Sequence, residues 1–262
     1  YKTYQFHDPP ITLPDGLGSS AWNLTEDDTY LRETATYLIA EDSNFSFSMW
    51  LYPTNDADEQ GLWKQYPTST RSSWAVYAGH SNNNIIFYVR SGASGARVTS
   101  TEDDILTLNK WNLVTFTYNT DDTIKIYVNN SEATPRSGYP TGTALGVNEL
   151  SDWVFMSANI SGTFEAFDGY AMDIAVWNEE LSLANHQSLW NSFNQTTNVG
   201  GALATTVEAN AILGYWSGKD GDLSTIPNEA DGTDSQGTDL DWTTVTDVSS
   251  ASKGWTERGT AI

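Results

Sequence analysis

The 262-residue chain contains no cysteine, which excludes disulfides, thiolate metal sites and a cysteine nucleophile. Secretion stays open, because a core of this size needs no covalent staples. Positive charge is scarce: 12 Lys and Arg stand against 34 Asp and Glu, a formal charge of −22 with a pI near 4.1. A surface of that sign repels phosphate backbones and anionic headgroups, so nucleic acid and membrane surfaces are poor partners. It attracts divalent cations, tolerates high salt or docks on a basic protein face, and plain solubility explains it equally well. No apolar run reaches membrane-spanning length, and no segment reads as a signal peptide. The first residue is Tyr1 rather than Met, which leaves room for an upstream segment.

Thr, Ser, Asn, Gly, Trp and Tyr are abundant instead. β-Branched and aromatic residues suit pleated surfaces, whereas Asn, Asp and Gly suit the turns between them. In FSFSMWLYPT, Phe45, Phe47, Met49 and Leu51 fall on one face and Ser46, Ser48, Trp50 and Tyr52 on the other. WAVYAG and IIFYVR follow, split by the turn-forming HSNNN at 80–84. KWNLVTFTYN sets Val114, Phe116 and Tyr118 against Trp111, Leu113 and Thr115, and Ile124, Ile126 and Val128 share a face in TIKIYVNN. WVFMSANI and GYAMDIAVW complete the series. Such runs, spaced by turn signals, predict an all-β, two-sheet antiparallel sandwich rather than a parallel α/β fold. Outer-face aromatics (Trp50, Tyr52, Tyr88, Trp111, Tyr127) predict that those faces are partly covered.

One helix is expected, at about Ser182 to Asn191. Ser182 serves as N-cap, and His186, Leu189 and Trp190 lie on one side. A short helix of this kind is expected to close one open end of the sandwich. Residues 1–20 carry too many prolines for a central strand and read as an extended arm. Residues 21–198 form the sandwich core. Residues 199–262 supply a further strand, AILGYW, and a long acidic loop, expected to pack on the same domain, with the start of a second module as the alternative.

Three motifs in order, FSFSMWLYPT, KWNLVTFTYNTDDTIKIYVNN and FDGYAMDIAVWNEELSLANHQSLW, resemble the concanavalin A-like, laminin-G-like jelly-roll modules. In that family a strand of the form W-x-x-v-x-x-x-Y hairpins into lYvNg, and a later f-x-G-x-i-D-x-v-x-v-y strand precedes a short helix. The resemblance covers residues 45–191. The tail segment ILGYWSGKDGDLSTIPNEADGTDSQGTD is similar to one found in such modules within phage and marine-virus structural proteins. Two positions depart from the pattern: Asn228 stands where Asp is usual, and His186 where the helix usually carries an apolar residue.

The resemblance implies a jelly roll with one short helix after the penultimate core strand. It also implies a Ca²⁺ at one sandwich edge, held at the Asp of the G-x-i-D strand. That Asp is Asp173, with Asp168 nearby; a turn-capping or paired Asp is the competing reading. DADEQG at 56–61 begins like an EF-hand loop, but position 12 falls on Pro67 and the match fails. The three histidines, His7, His80 and His186, lack ligand spacing. His186 is expected to pack at the helix–sandwich seam with its ring hydrogen-bonded.

Retaining glycoside cleavage in such a groove requires two carboxylates about 5 Å apart, which on a strand means alternating positions. No strand offers them, and DADE (56–59), TEDD (101–104) and NEE (178–180) fall at turns. No G-x-S-x-G elbow supports a serine nucleophile. Glycan binding needs aromatic platforms with amide and charged hydrogen-bonders. Trp63, Tyr66, Trp74, Tyr77, His80, Asn82, Asn83 and Arg90 offer that mix around one loop and its strands, set against ordinary aromatic packing.

The sequence therefore predicts a non-catalytic recognition or structural module. With the tail's resemblance, the setting is a virion decoration, fibre or adhesion protein, located on a virion surface or outside the cell. Its partners would be glycans, protein subunits of a larger assembly such as a capsid, or further copies of itself. A secreted or cell-surface lectin and a glycan-cleaving enzyme are the alternatives.

Overall fold

In the computed structural model the described residues are 20–23, 29–33, 43–55, 59–65, 73–79, 83–91, 95–121, 123–136, 153–155, 157–158, 165–191, 207–208, 211–216, 225–226, 240–244 and 254–257. In chain order the first strands are β1 (Ser20–Asn23), β2 (Thr29–Glu33), β3 (Phe45–Pro53), β4 (Glu59–Gln65), β5 (Ser73–Gly79) and β6 (Asn84–Ser91). Next come β7 (Gly95–Ser100), β8 (Asn112–Asn119), β9 (Thr123–Val128), β10 (Ser131–Glu132), β11 (Trp153–Phe155), β12 (Ser157–Ala158), β13 (Glu165–Ala166) and β14 (Gly169–Trp177). The helix α1 (Leu183–Asn191) precedes β15 (Ile212–Trp216), β16 (Thr225–Ile226), β17 (Leu240–Thr244) and β18 (Gly254–Glu257).

The strands form two large sheets. One runs β10-β9-β8-β3-β14-β1-β18, with β15 also on β14; the other runs β16-β17-β2-β11-β4-β5-β6-β7. Their described pairings are antiparallel, as the alternating patterns predict. The arrangement is the expected jelly-roll sandwich.

The first sheet's inner face carries Phe45, Phe47, Met49, Leu51, Val114, Phe116, Ile124, Ile126 and Val128, all buried in one core with Leu62, Trp63, Val76 and Ile85 of the second sheet. The rows read from the sequence thus meet across the sandwich. β14 cannot keep strict alternation, because Ala171, Ile174 and Val176 all join this core. Asp173 is the inserted residue: its φ is 50° and the register with β3 slips between Met172 and Ala175. This β-bulge turns Ala175 and Trp177 onto the outer face.

The tail enters both sheets. β15 pairs with the second half of β14, and β17 pairs with β2. The arm 1–19 lies outside the described residues.

The helix does not close an end of the sandwich, as its sequence position suggested. It lies across the outer face of the first sheet, where Leu181, Leu189 and Trp190 pack with Trp50, Trp111, Leu113 and Trp177. That face is loaded with aromatics, and Trp190 stacks on Trp50 with ring centroids 5.4 Å apart, taking apolar surface of both out of water. Ser182 is the N-cap, its Oγ accepting the Asn185 N–H at 3.2 Å while Asn185 Oδ1 accepts the Ser182 N–H at 3.0 Å. The turn before it is fixed by Ser46, whose Oγ donates to the Glu179 carbonyl at 2.7 Å and accepts the Leu181 N–H at 2.8 Å.

Candidate functional site

The residues expected to bind glycan are sorted by the pleat of β4, β5 and β6. Val76 and Ala78 on β5 and Ile85 on β6 are buried in the core, so positions of the same parity lie on the inner face. Position 74 has that parity. Position 77 has the other and pairs with Ile86; beside it Ala75 pairs with Tyr88 and Ser73 with Arg90. Positions 77, 88 and 90 therefore share the outer-face parity of two adjacent strands. Tyr88 was noted in the sequence as an outer-face aromatic but not as a site residue; the hairpin register joins it to Tyr77.

Trp63 is not a platform. It is fully buried, with ring centroids 4.8 Å from Phe47, 5.9 Å from Phe45 and 6.1 Å from Phe116. The cause is a register slip between Gly61 and Trp63, which lets Leu62 and Trp63 both enter the core. Asn83 is a half-buried turn residue at φ 49°, and its carbonyl accepts the Leu106 N–H at 2.9 Å. Tyr66, His80 and Asn82 lie outside the described residues, as do the side chains of Trp74, Tyr77 and Arg90.

The two aspartates expected at a metal site stand five positions apart along extended chain, roughly 15 Å. Asp173 Oδ1 accepts the Tyr215 hydroxyl at 2.5 Å. Asp168 clamps the end of β3 to the start of β14: its Oδ1 accepts the Thr54 hydroxyl at 2.9 Å, its carbonyl the Thr54 N–H at 3.1 Å, and its own N–H donates to Gln60 Oε1 at 3.0 Å. Gln60 Nε2 in turn donates to the Asn55 carbonyl at 2.9 Å. Among the described residues no group of three or more His, Asp or Glu side chains is placed to hold a metal.

The carboxylates relevant to catalysis are equally engaged. Among the described residues Asp173 is the buried one. Glu180 lies half-buried against Asn119 Nδ2 at 2.6 Å and Lys125 Nζ at 2.8 Å. Burial raises its carboxyl, but the hydrogen bonds from Asn119 and Lys125 outweigh that and hold it below the usual range. The Glu180 hydrogen bond in turn raises Lys125.

His186 packs at the helix–sheet seam, as its place in the sequence suggested. Nδ1 lies 2.8 Å from Thr115 Oγ1 and Nε2 2.5 Å from the Asn129 carbonyl, while the ring stacks on Tyr127 at 5.4 Å. A carbonyl only accepts, so Nε2 carries the proton and Nδ1 accepts from Thr115. Burial pushes the imidazole down to about 4, with the Asn129 carbonyl opposing in part. The ring is neutral near neutrality and has no spare nitrogen for acid–base work or a metal.

A laminin-G-like family model, described as the concanavalin A-like lectin/glucanases superfamily, matches residues 25–185. Comparison with curated proteins gave no match. Solved structures similar in fold include a native heptameric SAP-like pentraxin from Limulus polyphemus, 15% identical, with TM-score 0.51 over 65% of this chain and 80% of that one. A Bacteroides ovatus ATCC 8483 protein with a proposed carbohydrate-binding role is 14% identical, with TM-score 0.56 over 88% of this chain and 61% of that one. Domains LG4-5 of the mouse laminin α1 chain are 12% identical, with TM-score 0.50 over 66% of this chain and 45% of that one. At these identities the likeness speaks for the fold.

Proposed function

This chain belongs to the concanavalin A-like lectin/glucanases superfamily, and we propose that it is a non-catalytic recognition module that binds glycan on the outer face of its second sheet. The observation that carries this reading is the β5–β6 register, which sets Tyr77, Tyr88 and Arg90 on the face opposite buried Val76, Ala78 and Ile85. Sugar rings present apolar CH faces that stack on aromatic side chains, and their hydroxyls take hydrogen bonds from planar amides and guanidinium groups. In the sequence His80, Asn82 and Asn83 lie between β5 and β6, and Tyr66 follows β4. The first sheet's outer face is taken by α1 and its aromatic seam, which favours the second sheet as the contact surface. The carbohydrate-binding role proposed for the Bacteroides protein of similar fold supports the same reading.

The setting we propose is a virion surface, as a decoration, fibre or adhesion module. It rests on the resemblance of the tail segment to those of phage and marine-virus structural proteins, and the charge of −22 suits docking on a basic subunit face. The engagement of Asp173 with Tyr215, and of Glu180 with Asn119 and Lys125, favours binding over cleavage.

A glycan array probed with the whole chain tests the activity. Saturable binding that drops by roughly tenfold or more in Tyr77→Ala and Tyr88→Ala, with unchanged melting, supports it. An empty array, or binding indifferent to both substitutions, overturns it. Stoichiometric presence of the chain in purified particles from its source tests the setting, and its absence from them refutes that part alone.

A further inference from the structure

Strand pairing in the second sheet gathers cations that lie far apart in the chain. Arg32 on β2 pairs with Val154 on β11, Val154 with Lys64 on β4, and Lys64 with Ala75 on β5. Ala75 pairs in turn with Tyr88 on β6, and Tyr88 with Val98 on β7. Directly paired residues share a face, so these positions form one row across the sheet. The neighbouring row is Leu31, Phe155, Trp63, Val76 and Phe87. Its Trp63 and Val76 are buried in the core, so that row has inner parity and the row of Arg32, Lys64 and Tyr88 has outer parity. Arg90, two positions beyond Tyr88 and paired with Ser73, has the same outer parity.

The charge at these positions is inverted relative to the chain. Acidic residues outnumber basic ones 34 to 12 overall. On β2, β11, β4, β5, β6 and β7 the outer-parity positions carry Arg32, Lys64 and Arg90 against Glu59 alone. Asp241 of β17 pairs with Arg32 and offsets charge at that end of the row. Lys64 and Arg90 remain, on either side of the register position of Tyr88. With strands about 4.8 Å apart, positions 32 and 64 stand two spacings or about 10 Å apart, as do 64 and 88. The net charge of −22 opposes a polyanion at long range, but at physiological ionic strength charges are screened beyond about 8 Å. At contact distance the local row therefore decides the sign.

We propose that the glycan taken by the second sheet is acidic, a polysaccharide whose sugars carry carboxylate or sulfate groups. The inference rests on the reading of this face as a glycan-binding surface, and it names the ligand class. Tyr77 and Tyr88 supply aromatic rings for the apolar faces of the sugars. Arg32, Lys64 and Arg90 supply charge for the acidic substituents. A guanidinium takes a carboxylate or sulfate through two parallel N–H donors, and an ammonium serves as a point charge. A face for neutral sugars needs no reversal of sign, because hydroxyls donate equally well to the carboxylates that the chain has in excess. Nucleic acid suits the row less: duplex DNA carries a charge every ~1.7 Å, far denser than three cations spread over about 20 Å.

The test titrates the whole chain calorimetrically with polygalacturonate and chondroitin sulfate, and with neutral dextran and duplex DNA for comparison. At least one acidic polysaccharide is expected to bind about tenfold or more tighter than dextran and DNA, and to weaken as NaCl rises from about 0.15 to 0.5 M. Which of the two is preferred tells carboxylate from sulfate. Lys64→Glu and Arg90→Glu should each lower that affinity at least about tenfold with melting unchanged. Lys110→Glu, an equal change of charge at an exposed residue just before β8, should not. Lys64→Gln and Arg90→Gln should act in the same direction where reversal disturbs folding. Neutral-glycan binding that Tyr88→Ala abolishes and Lys64→Glu leaves intact overturns this inference and spares the glycan face. DNA binding of equal strength, or a loss in Lys110→Glu as large as in Lys64→Glu, overturns it as well. Failure of every glycan to bind removes both readings.

Discussion

The hydroxyl of Tyr215 donates to Asp173 Oδ1 at 2.5 Å, tying β15 to the bulge of β14. Asp173 holds φ 50°, which Asp and Asn tolerate and β-branched residues do not. Asp173→Asn keeps both the backbone preference and an acceptor, so it should cost less than about 1 kcal/mol. Asp173→Val loses both and should cost roughly 3 kcal/mol or more. Tyr215→Phe, which removes this hydrogen bond alone, should fall between them. Urea denaturation of the three variants checks the order.

His186 predicts an acid-sensitive helix seam. Its folded pKa of about 4 lies below the ordinary 6.5 because burial disfavours the imidazolium. The unfolded chain therefore binds the proton first: the contribution to stability is complete above about pH 6.5, is lost as pH falls from 6.5 towards 4, and changes no further below that. The loss attributable to this residue is on the order of 3 kcal/mol. Comparing wild type with His186→Gln at pH 7, 6 and 5 isolates it, since the variant should lack that part of the slope. Equal slopes would place the acid sensitivity elsewhere.

Gly169 opens β14 directly against the backbone of β3. A Cβ at this position would collide with the Tyr52 carbonyl oxygen and crowd the Phe167 ring. The Tyr52 carbonyl belongs to a central strand and cannot move aside without breaking the pairing of Tyr170 with Tyr52. Gly169→Ala is expected to destabilise by roughly 2–4 kcal/mol. A melting temperature within a degree of wild type would show that β3 yields after all.

Trp63 and Tyr77 are two strand positions with opposite expected phenotypes. Trp63→Ala removes an indole from between Phe45, Phe47 and Phe116, and should cost about 3–5 kcal/mol of stability. Tyr77→Ala should leave the melting temperature close to wild type and lower glycan affinity instead. Thermal melts and titrations of the two variants separate folding from binding.

Much of the architecture was legible in the sequence because burial on one face imposes period two. The rows Phe45-Phe47-Met49-Leu51, Val114-Phe116-Tyr118 and Ile124-Ile126-Val128 needed no coordinates to be placed on an inner face. Ser182 as N-cap and His186 as a packed, hydrogen-bonded seam residue were likewise readable from local spacing. What the tertiary structure alone decided were the places where one extra residue changes parity. The bulges at Leu62 and Asp173 send Trp63 into the core and Trp177 out of it, and alternation cannot foresee where a strand will slip. The helix likewise settled on the Trp50 face rather than at an end, because the area buried there depends on residues far away in the chain. The row that joins Arg32, Lys64 and Tyr88 has no sequence signature either, since only strand pairing brings together residues so far apart in the chain.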